Sequence, residues 1–290
     1  MIHISVGVCA YQEGENVQVF LASLWAQRLG KVCIDEVIII WDGHEEAQAH
    51  VLEMIKGTNV KLVISPERQG KFVAINQFLE MAAADVLVMV SADLILGPDS
   101  IECLCQPFLD GRVGMTGGRP IPKNSALTFF GYMAHLQWQL HHALSLDTPK
   151  FGELVAFRMV VGRIAPTLVD EEEVAAVIQG KGYVLRYVPD AVVYNKGVET
   201  LKDFFRQRRR VYAGHLDLKK RQGYRAATIN GFVVLRYLLK DIGVYAKKPL
   251  WLFAAVALEA WVRMLGWMDF ILNKNSYAWP MAKSTKSLHE

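Results

Sequence analysis

The feature that most constrains the fold is the alternation of short apolar runs with helical periodicity through the first half of the chain. Apolar runs rich in β-branched residues occupy residues 2–10, 37–40, 60–64 and 86–90. Stretches with helical spacing lie between them, at 16–28, 45–56 and 71–83. Strands that are apolar on both faces, each followed by a helix, are typical of a parallel sheet covered by helices on both sides. The sequence therefore predicts an α/β fold with a mainly parallel sheet.

Polar side chains follow each of these strands where the strand ends. Ala10-Tyr11-Gln12-Glu13 comes after the first run, Asp42 after the second, Arg68 and Lys71 after the third, and Asp93 after the fourth. The carboxyl ends of parallel strands meet at one edge of a sheet, and ligands of such sheets bind there. The sequence therefore predicts a polar binding site at this edge.

The pattern changes after residue 110. Residues 111–122 are rich in Gly and Pro and predict a loop with a short strand. Residues 125–146 predict an aromatic helix, and 200–221 a long basic helix. Between them, 151–158 and 183–188 read as strands on either side of a helix that starts at the acidic residues 170–173. Two apolar stretches follow, at 227–240 and 249–272. We expect a catalytic domain over residues 1–225 and a helical appendage over 226–290.

Charge is distributed unevenly along the chain, although the net charge is only +3. Residues 1–199 carry 15 basic and 23 acidic side chains, whereas residues 200–290 carry 17 basic and 6 acidic ones. A basic last third favours contact with phosphates or acidic lipid headgroups, and no nucleic-acid partner is expected.

The four cysteines lack the spacing of a zinc site, so we expect reduced thiols. The first residues lack a secretory signal, so we expect the catalytic part in the cytoplasm.

Two motifs at the first strand ends begin a resemblance to the family-two glycosyltransferases of the A-type fold. The run from Val8 to Glu13, with Ala10 and Tyr11, resembles the opening strand of that family, which contacts the nucleoside. The run Ile40-Trp41-Asp42-Gly43-His44 resembles the family's Asp-Asp-Gly-Ser turn, with Trp41 in place of the first Asp. The resemblance implies that Asp42 accepts the imide N–H of uracil, although Asp42-Gly43 is also a common tight turn.

Two further motifs resemble the family's diphosphate and metal segments. Gly70-Lys71 opens a run similar to Gly-Lys-X-X-Ala-X-Asn, and Arg68 and Lys71 flank a helix start, which favours an anion. Ser91-Ala92-Asp93 lies where the family has Asp-X-Asp. Mg²⁺ and Mn²⁺ prefer carboxylate and phosphate oxygens. The resemblance therefore implies that Asp93 binds the metal, with Ser91 replacing the other carboxylate.

The last two motifs resemble the acceptor side of the family. The run from Asp170 to Val174 is similar to Glu-Asp-X-Glu/Asp-Leu, which implies Glu171 as the catalytic base and Asp170 as its neighbour in the site. An acidic first turn stabilised by the helix dipole is the alternative. The run from Gln207 to Val211, which includes Arg209 and Arg210, resembles Gln-X-X-Arg-Trp of membrane polysaccharide synthases. It implies arginines on the diphosphate, and the missing Trp tells against processive synthesis.

The apolar stretch 249–272 is long enough to span a bilayer. It contains Glu259, Arg263 and Asp269, and each central charge costs about 2.5–3.5 kcal/mol to insert. Glu259 and Arg263 are four residues apart and are expected to pair on one helix face. We therefore expect a membrane-associated hairpin or a helix in the membrane interface, with a soluble packing element or an oligomer contact as the alternative.

Taken with the resemblance, these features predict a metal-dependent, inverting transfer from a nucleotide sugar, UDP-linked, to a hydroxyl of a glycan or lipid-linked acceptor. The reaction is expected at the cytoplasmic face of the cell membrane. Two alternatives stay open. A polyprenyl-phosphate glycosyltransferase would need no strong base, because its acceptor is already an anion. A non-catalytic module that binds sugar nucleotides or membranes would tolerate the three departures from the motifs, Trp41, Ser91 and Val211.

Overall fold

An eight-stranded sheet forms the centre of the protein. The computed structural model describes residues 1–11, 13–43, 47–65, 69–240, 242–245, 247–274 and 285. The strands are β1 (Ile2–Ala10), β2 (Val32–Asp42), β3 (Val60–Ser65), β4 (Val86–Ser91), β5 (Leu94–Leu96), β6 (Val113–Pro122), β7 (Leu154–Arg158) and β8 (Val184–Asn195). The helices are α1 (Gly14–Trp25), α2 (Ala47–Met54), α3 (Lys71–Met81), α4 (Ser100–Cys105), α5 (Phe129–Asp147), α6 (Asp170–Gly180), α7 (Leu201–Gln222), α8 (Gly231–Lys240), α9 (Ile242–Tyr245) and α10 (Pro249–Ile271).

The strand order is β3-β2-β1-β4-β7-β6-β8-β5. The first four strands in this order are parallel, and β6 and β8 are parallel to each other. Strand β7 is antiparallel to both β4 and β6, and β5 is antiparallel to β8. The sheet is therefore mixed but mainly parallel, which confirms the predicted fold class.

Each face of the sheet carries its own apolar core. Ile39 and Trp41 of β2 pack on the α1 side, whereas Ile38 and Ile40 point to the side of α3 and α6. This alternation follows from the strand period of two residues. Both sets are almost completely buried, so β2 has no face left for solvent, as the unbroken apolar run predicted.

The prediction of a loop with a short strand over residues 111–122 was wrong, because β6 runs as one ten-residue strand from Val113 to Pro122. Its glycines serve close packing instead of turns. A Cβ on Gly118 would lie 2.6 Å from the carbonyl oxygen of Ala191, and one on Gly114 would lie 2.4 Å from the Cβ of Tyr183. Strand β8 also runs past the predicted end at 188. The ladder with β6 skips from Tyr187 to Val192, around Pro189, which has no N–H to donate.

Helix α7 carries the basic segment and has defined ends. The Thr200 hydroxyl accepts a hydrogen bond from the backbone N–H of Asp203 at 3.2 Å, and Gly223 ends the helix with a left-handed φ of 71°. Helix α10 packs closely along α7, since a Cβ on Gly266 would lie 2.8 Å from the carbonyl oxygen of Arg209. The C-terminal helical appendage is thus present. The domain boundary at 225 stays a prediction, and residues 275–284 and 286–290 lie outside the described residues.

Helix α10 has two unlike faces. Its small and buried residues, Ala255, Val262 and Gly266, face the rest of the protein. Leu250 and Phe253 on the outer side are 82% and 77% exposed. Within the described part of the chain, α10 is the one helix that is long and apolar enough to cross a membrane, judged by length and composition alone.

The acidic residues of α10 are paired with arginines of α7. Arg208 donates two hydrogen bonds to Glu259 at 3.0 and 2.6 Å, and Arg209 donates two to Asp269 at 2.9 and 2.7 Å. Arg263 adds a further hydrogen bond to Glu259 at 2.8 Å, which confirms the predicted pair within α10. Bidentate contacts of this kind fix geometry as well as charge. The polar residues of the apolar helix therefore serve to dock it on α7.

Candidate active site

A cleft of about 790 Å³ opens where the carboxyl ends of the parallel strands meet. In the sheet, Cys9 of β1 lies opposite Ser91 of β4, and Ala10 lies opposite Trp41 of β2. Because of these registers, the carboxyl ends of β1, β2 and β4 lie side by side at one edge of the sheet. The predicted site residues that line the cleft are Ala10, Tyr11, Glu13, Asp42, Lys71, Asp93, Asp170, Glu171, Gln207, Arg209 and Arg210.

One predicted residue that the structure describes, Ala92, does not line this cleft. Ala92 is fully buried, and its backbone N–H donates to the carbonyl oxygen of Cys9 at 3.1 Å. Its backbone therefore fixes the end of β4 against β1. Arg68 lies outside the described residues.

The end of β2 separates two neighbouring residues. Trp41 is completely buried in the core, whereas Asp42 is half-buried and lines the cleft. The Trp that replaces the family's first Asp has thus become a core residue, which the strand alternation requires at this position. Of this pair, only Asp42 has its side chain in the cleft.

A salt bridge crosses the cleft between two predicted functional residues. Lys71, the first residue of α3, donates from Nζ to Oε1 of Glu171 at 2.6 Å. Burial alone would raise the pKa of Glu171, but the charge and hydrogen bond of Lys71 hold that pKa below its usual value. The pKa of Lys71 is raised, because the charges of Glu171 and Asp170 outweigh its own burial. Glu171 is therefore a carboxylate at neutral pH.

The acidic run at the start of α6 divides into two functions. Glu172 accepts hydrogen bonds from the Tyr224 hydroxyl at 2.7 Å and from the backbone N–H of Phe151 at 3.2 Å. Glu173 accepts from both terminal nitrogens of Arg221, at 3.0 and 2.7 Å. These two residues hold α6 in place. Asp170, Glu171 and Glu172 also line the cleft, so an acidic first turn does not by itself account for the run.

Asp170 differs electrostatically from its neighbour Glu171. It is 4% exposed, and its Oδ1 has no hydrogen-bond partner among the described residues. Burial and the charge of Glu171 raise the pKa of Asp170 to about 7, against the opposing charges of Lys71 and Arg210. Adjacent carboxyl groups with opposite shifts are typical of functional sites.

Asp93 lies just past the end of β4, half-buried in the cleft beside Ser91. Burial raises the pKa of its carboxyl group, although the charge of Lys71 opposes this. Burial therefore disfavours the negative charge on Asp93 in the protein alone. A carboxylate in this state suits a divalent cation that shares its remaining ligands with a diphosphate.

Sequence reasoning missed Glu153. Leu154 pairs with Val90 in the β4–β7 ladder, so Glu153 comes one position further along, beside Ser91. It has a left-handed φ of 45°, and Asn195 donates to its Oε1 at 3.1 Å. Burial, with the charges of Asp93 and Glu171, raises the pKa of Glu153 to about 7. The sequence signal for Glu153 was its position directly before an apolar strand. That position indicates a site residue only once the strand is known to run antiparallel beside β4.

The arginines of α7 differ in what they contact. Arg208 and Arg209 are both engaged with carboxylates of α10. Arg210 lines the cleft, and its charge lowers the pKa of Asp170. Of the two arginines predicted for the diphosphate, Arg210 is thus directed at the acidic residues of the site, whereas Arg209 also anchors the C-terminal helix.

The cleft continues beyond these polar groups as an apolar arm. We use this name for the part lined by Leu136 and Leu140 of α5, Leu235 and Leu238 of α8, and Ala255 and Val256 of α10. His215 of α7 also lines the cleft. It is 4% exposed, and its Nε2 has no hydrogen-bond partner among the described residues. Burial, with nearby positive charges, lowers the pKa of His215 well below its usual value, so the ring is neutral.

Family models match most of the chain. The model of glycosyl transferase family 2 matches residues 5–162, and that of glycosyl transferase family group 2 matches residues 86–281. A search of curated proteins finds no match.

Solved structures with the same fold include several glycosyltransferases. The mannosyltransferase PcManGT from Pyrobaculum calidifontis, in complex with GDP-Man and Mn²⁺, is 20% identical with a TM-score of 0.69, over 94% of this chain and 88% of that one. GalNAc-T7 with UDP, GalNAc and Mn²⁺ is 19% identical with a TM-score of 0.53, over 67% of this chain and 43% of that one. S. aureus TarS 1-349 is 14% identical with a TM-score of 0.50, over 94% and 92%. At these identities the likeness shows a shared fold.

Proposed function

The chain belongs to glycosyl transferase family 2 and has the A-type fold, and on that basis we propose that it transfers a sugar from a UDP-linked donor to an acceptor hydroxyl with inversion. The observation that carries the proposal is the 2.6 Å contact between Lys71 and Glu171. It joins a cation suited to the donor diphosphate and a carboxylate suited to the acceptor hydroxyl within one cleft.

Each residue then has a defined task. Asp42 accepts the imide N–H of the base, and Lys71 and Arg210 contact the diphosphate, whose oxygens suit both cations. The acceptor hydroxyl attacks the sugar carbon from the face opposite the diphosphate, the bond to the diphosphate breaks, and Glu171 takes the hydroxyl proton. Asp93 would hold a divalent cation, which neutralises charge on the leaving diphosphate when bound.

Donor binding and base activation are linked through Lys71 in this scheme. In this structure Lys71 donates a hydrogen bond to Glu171. A diphosphate that draws Lys71 away removes the charge that keeps the pKa of Glu171 low. The carboxylate then becomes a stronger base at the moment when the donor is in the cleft.

The experiment compares UDP, GDP and CDP by calorimetry with Mn²⁺, followed by transfer or hydrolysis assays with a panel of sugar nucleotides. We expect UDP to bind best and CDP worst, since cytosine has no imide N–H for Asp42. Guanine can also donate to a carboxylate, so tighter binding of GDP would refute the uridine assignment while leaving the enzyme class intact. Absence of turnover with every sugar nucleotide would contradict the transfer itself.

We also propose that the protein works at the cytoplasmic face of the membrane, with α10 on the lipid surface. The support is the outer face of α10, where Phe253 and Trp261 are exposed, and the pairing of Glu259 and Asp269 with α7, which keeps both charges off that face. Trp side chains and basic flanks are typical of helices in the membrane interface.

Sedimentation of the full chain with liposomes tests this location. Binding should increase with the share of anionic lipid and weaken with salt. Replacing the exposed Phe253 with Gln should weaken binding, whereas Leu29→Gln, which changes an exposed residue near the other end of the chain, should not. A full chain that stays in the supernatant under all conditions would favour a packing or oligomer role for α10.

A further inference from the structure

The apolar arm is a feature that sugar transfer between two hydrophilic molecules does not require. It belongs to the same cleft as Lys71 and Glu171, and its walls come from three different helices. We propose that the acceptor is an amphiphile, a hydroxyl-bearing headgroup on a hydrocarbon chain, with the chain in the apolar arm and the headgroup at Glu171. This inference rests on the proposed function and specifies its acceptor.

The arm offers apolar surface that is not covered by the protein itself. Leu235 of α8 and Val256 of α10 line it and are 44% and 43% exposed, while Leu136 and Leu238 form its buried base. Covering such surface with a hydrocarbon chain gains about 25 cal/mol per Å². A glycan, whose surface is largely polar, would leave most of this gain unused.

The arm also adjoins the exposed apolar surface of the C-terminal helices. Val256 lines the arm, and Phe253, one turn earlier on α10, lies on the outer face of the helix. On α8, Leu235 lines the arm and Leu239, one turn later, is exposed outside it. On both helices, apolar side chains therefore continue from this outer surface to the arm.

His215 offers a contact for the headgroup inside the cleft. His215 is a neutral, buried side chain whose Nε2 has no partner among the described residues. The charge of Lys150 acts on both His215 and Glu171, so the three groups share one region of the cleft. An unpaired buried polar atom is costly. A headgroup hydroxyl between the arm and Glu171 would supply the missing hydrogen bond.

The test uses the full chain and n-alkyl β-glucosides from hexyl to decyl below their micelle concentrations, with methyl glucoside as the hydrophilic control. Calorimetry should show affinity rising about three- to fourfold for each methylene that enters the arm. Leu235→Gln should lower the affinity for the decyl compound by roughly tenfold. Leu239→Gln, its neighbour on the same helix outside the cleft, should leave the affinity unchanged. Binding of UDP with Mn²⁺ verifies that each variant is folded.

A second variant adds bulk to the cleft one turn after Val256, a residue of the arm. Ala260 lines the cleft and is exposed, so Ala260→Trp should block the decyl chain while sparing methyl glucoside. Equal losses in Leu235→Gln and Leu239→Gln, or an affinity independent of chain length, would overturn the proposal. Hydrolysis of the sugar nucleotide is measured alongside. Hydrolysis with chain-length-independent binding overturns the amphiphilic acceptor, whereas chain-length-dependent binding without turnover contradicts the proposed transfer.

Discussion

Replacing Glu171 with Gln keeps the size of the side chain but removes the proton acceptor. Transfer should fall by about 10²–10⁴, the usual share of general base catalysis. The midpoint of that range corresponds to about 4 kcal/mol of transition-state stabilisation. Affinity for the sugar nucleotide should hold or rise, because Lys71 no longer has to leave a carboxylate that lies 2.6 Å away.

The pH dependence of kcat/KM in the wild-type enzyme identifies the base independently. A base acts when deprotonated, so activity is lost as the pH falls through its pKa. Lys71 keeps the pKa of Glu171 below the usual 4.5, whereas burial and the charge of Glu171 raise the pKa of Asp170 to about 7. Glu171 as the base predicts an acid limb below pH 4.5, and Asp170 as the base predicts one near pH 7.

Asp170→Asn is the matched control, since it changes the adjacent cleft carboxyl group in the same way. An acid limb near 7 that disappears in Asp170→Asn would refute the assignment and shift it by one residue. If Glu171→Gln abolished nucleotide binding together with transfer, Glu171 would be needed to maintain the nucleotide site and would not be identified as the base. If neither variant lost activity, the acceptor would be a phosphate, which needs no base.

Three further changes test other parts of the molecule. Asp93→Ala should abolish Mn²⁺-dependent binding of the nucleoside diphosphate, and calorimetry with unchanged affinity would remove Asp93 from the metal site. Arg209→Ala should destabilise the protein by roughly 1–3 kcal/mol in urea unfolding, because it leaves Asp269 without its two hydrogen bonds. An additive double variant with Asp269→Ala would show that the pair contributes nothing. Gly118→Ala should cost about 1–3 kcal/mol through overpacking, whereas Gly111→Ala, with open space around it, should be close to neutral in the same assay.

Several site residues were predictable because they are local to strand ends. Ala10, Asp42 and Asp93 follow apolar runs whose length and composition fix the strands, and parallel strands bring their carboxyl ends together. Lys71 was predictable for a related reason, since it begins the helix that follows a strand. At these positions, the sequence pattern that locates a strand end or a helix start also locates the side chain in the fold.

The helix starting at Asp170 shows where local pattern was not enough. Four acidic residues in succession look alike in the sequence, yet Glu172 and Glu173 are held by Tyr224 and Arg221, whereas Glu171 pairs with Lys71 in the cleft. Helical spacing sends consecutive side chains in different directions. Which direction leads into the cleft depends on how α6 docks against the sheet, and contacts more than 40 residues away set that docking.

The sequence by itself determined the fold class, the family resemblance and the order of the polar strand ends, because strand period, apolar burial and motif order are properties of consecutive residues. Only the tertiary structure decided that Lys71 pairs with Glu171, that Glu153 joins the site, and that α10 completes the cleft instead of standing apart from it. Each of these contacts joins segments about 40 to 100 residues apart. Side-chain charge and burial at such sites depend on the packing of whole elements, which no local pattern encodes.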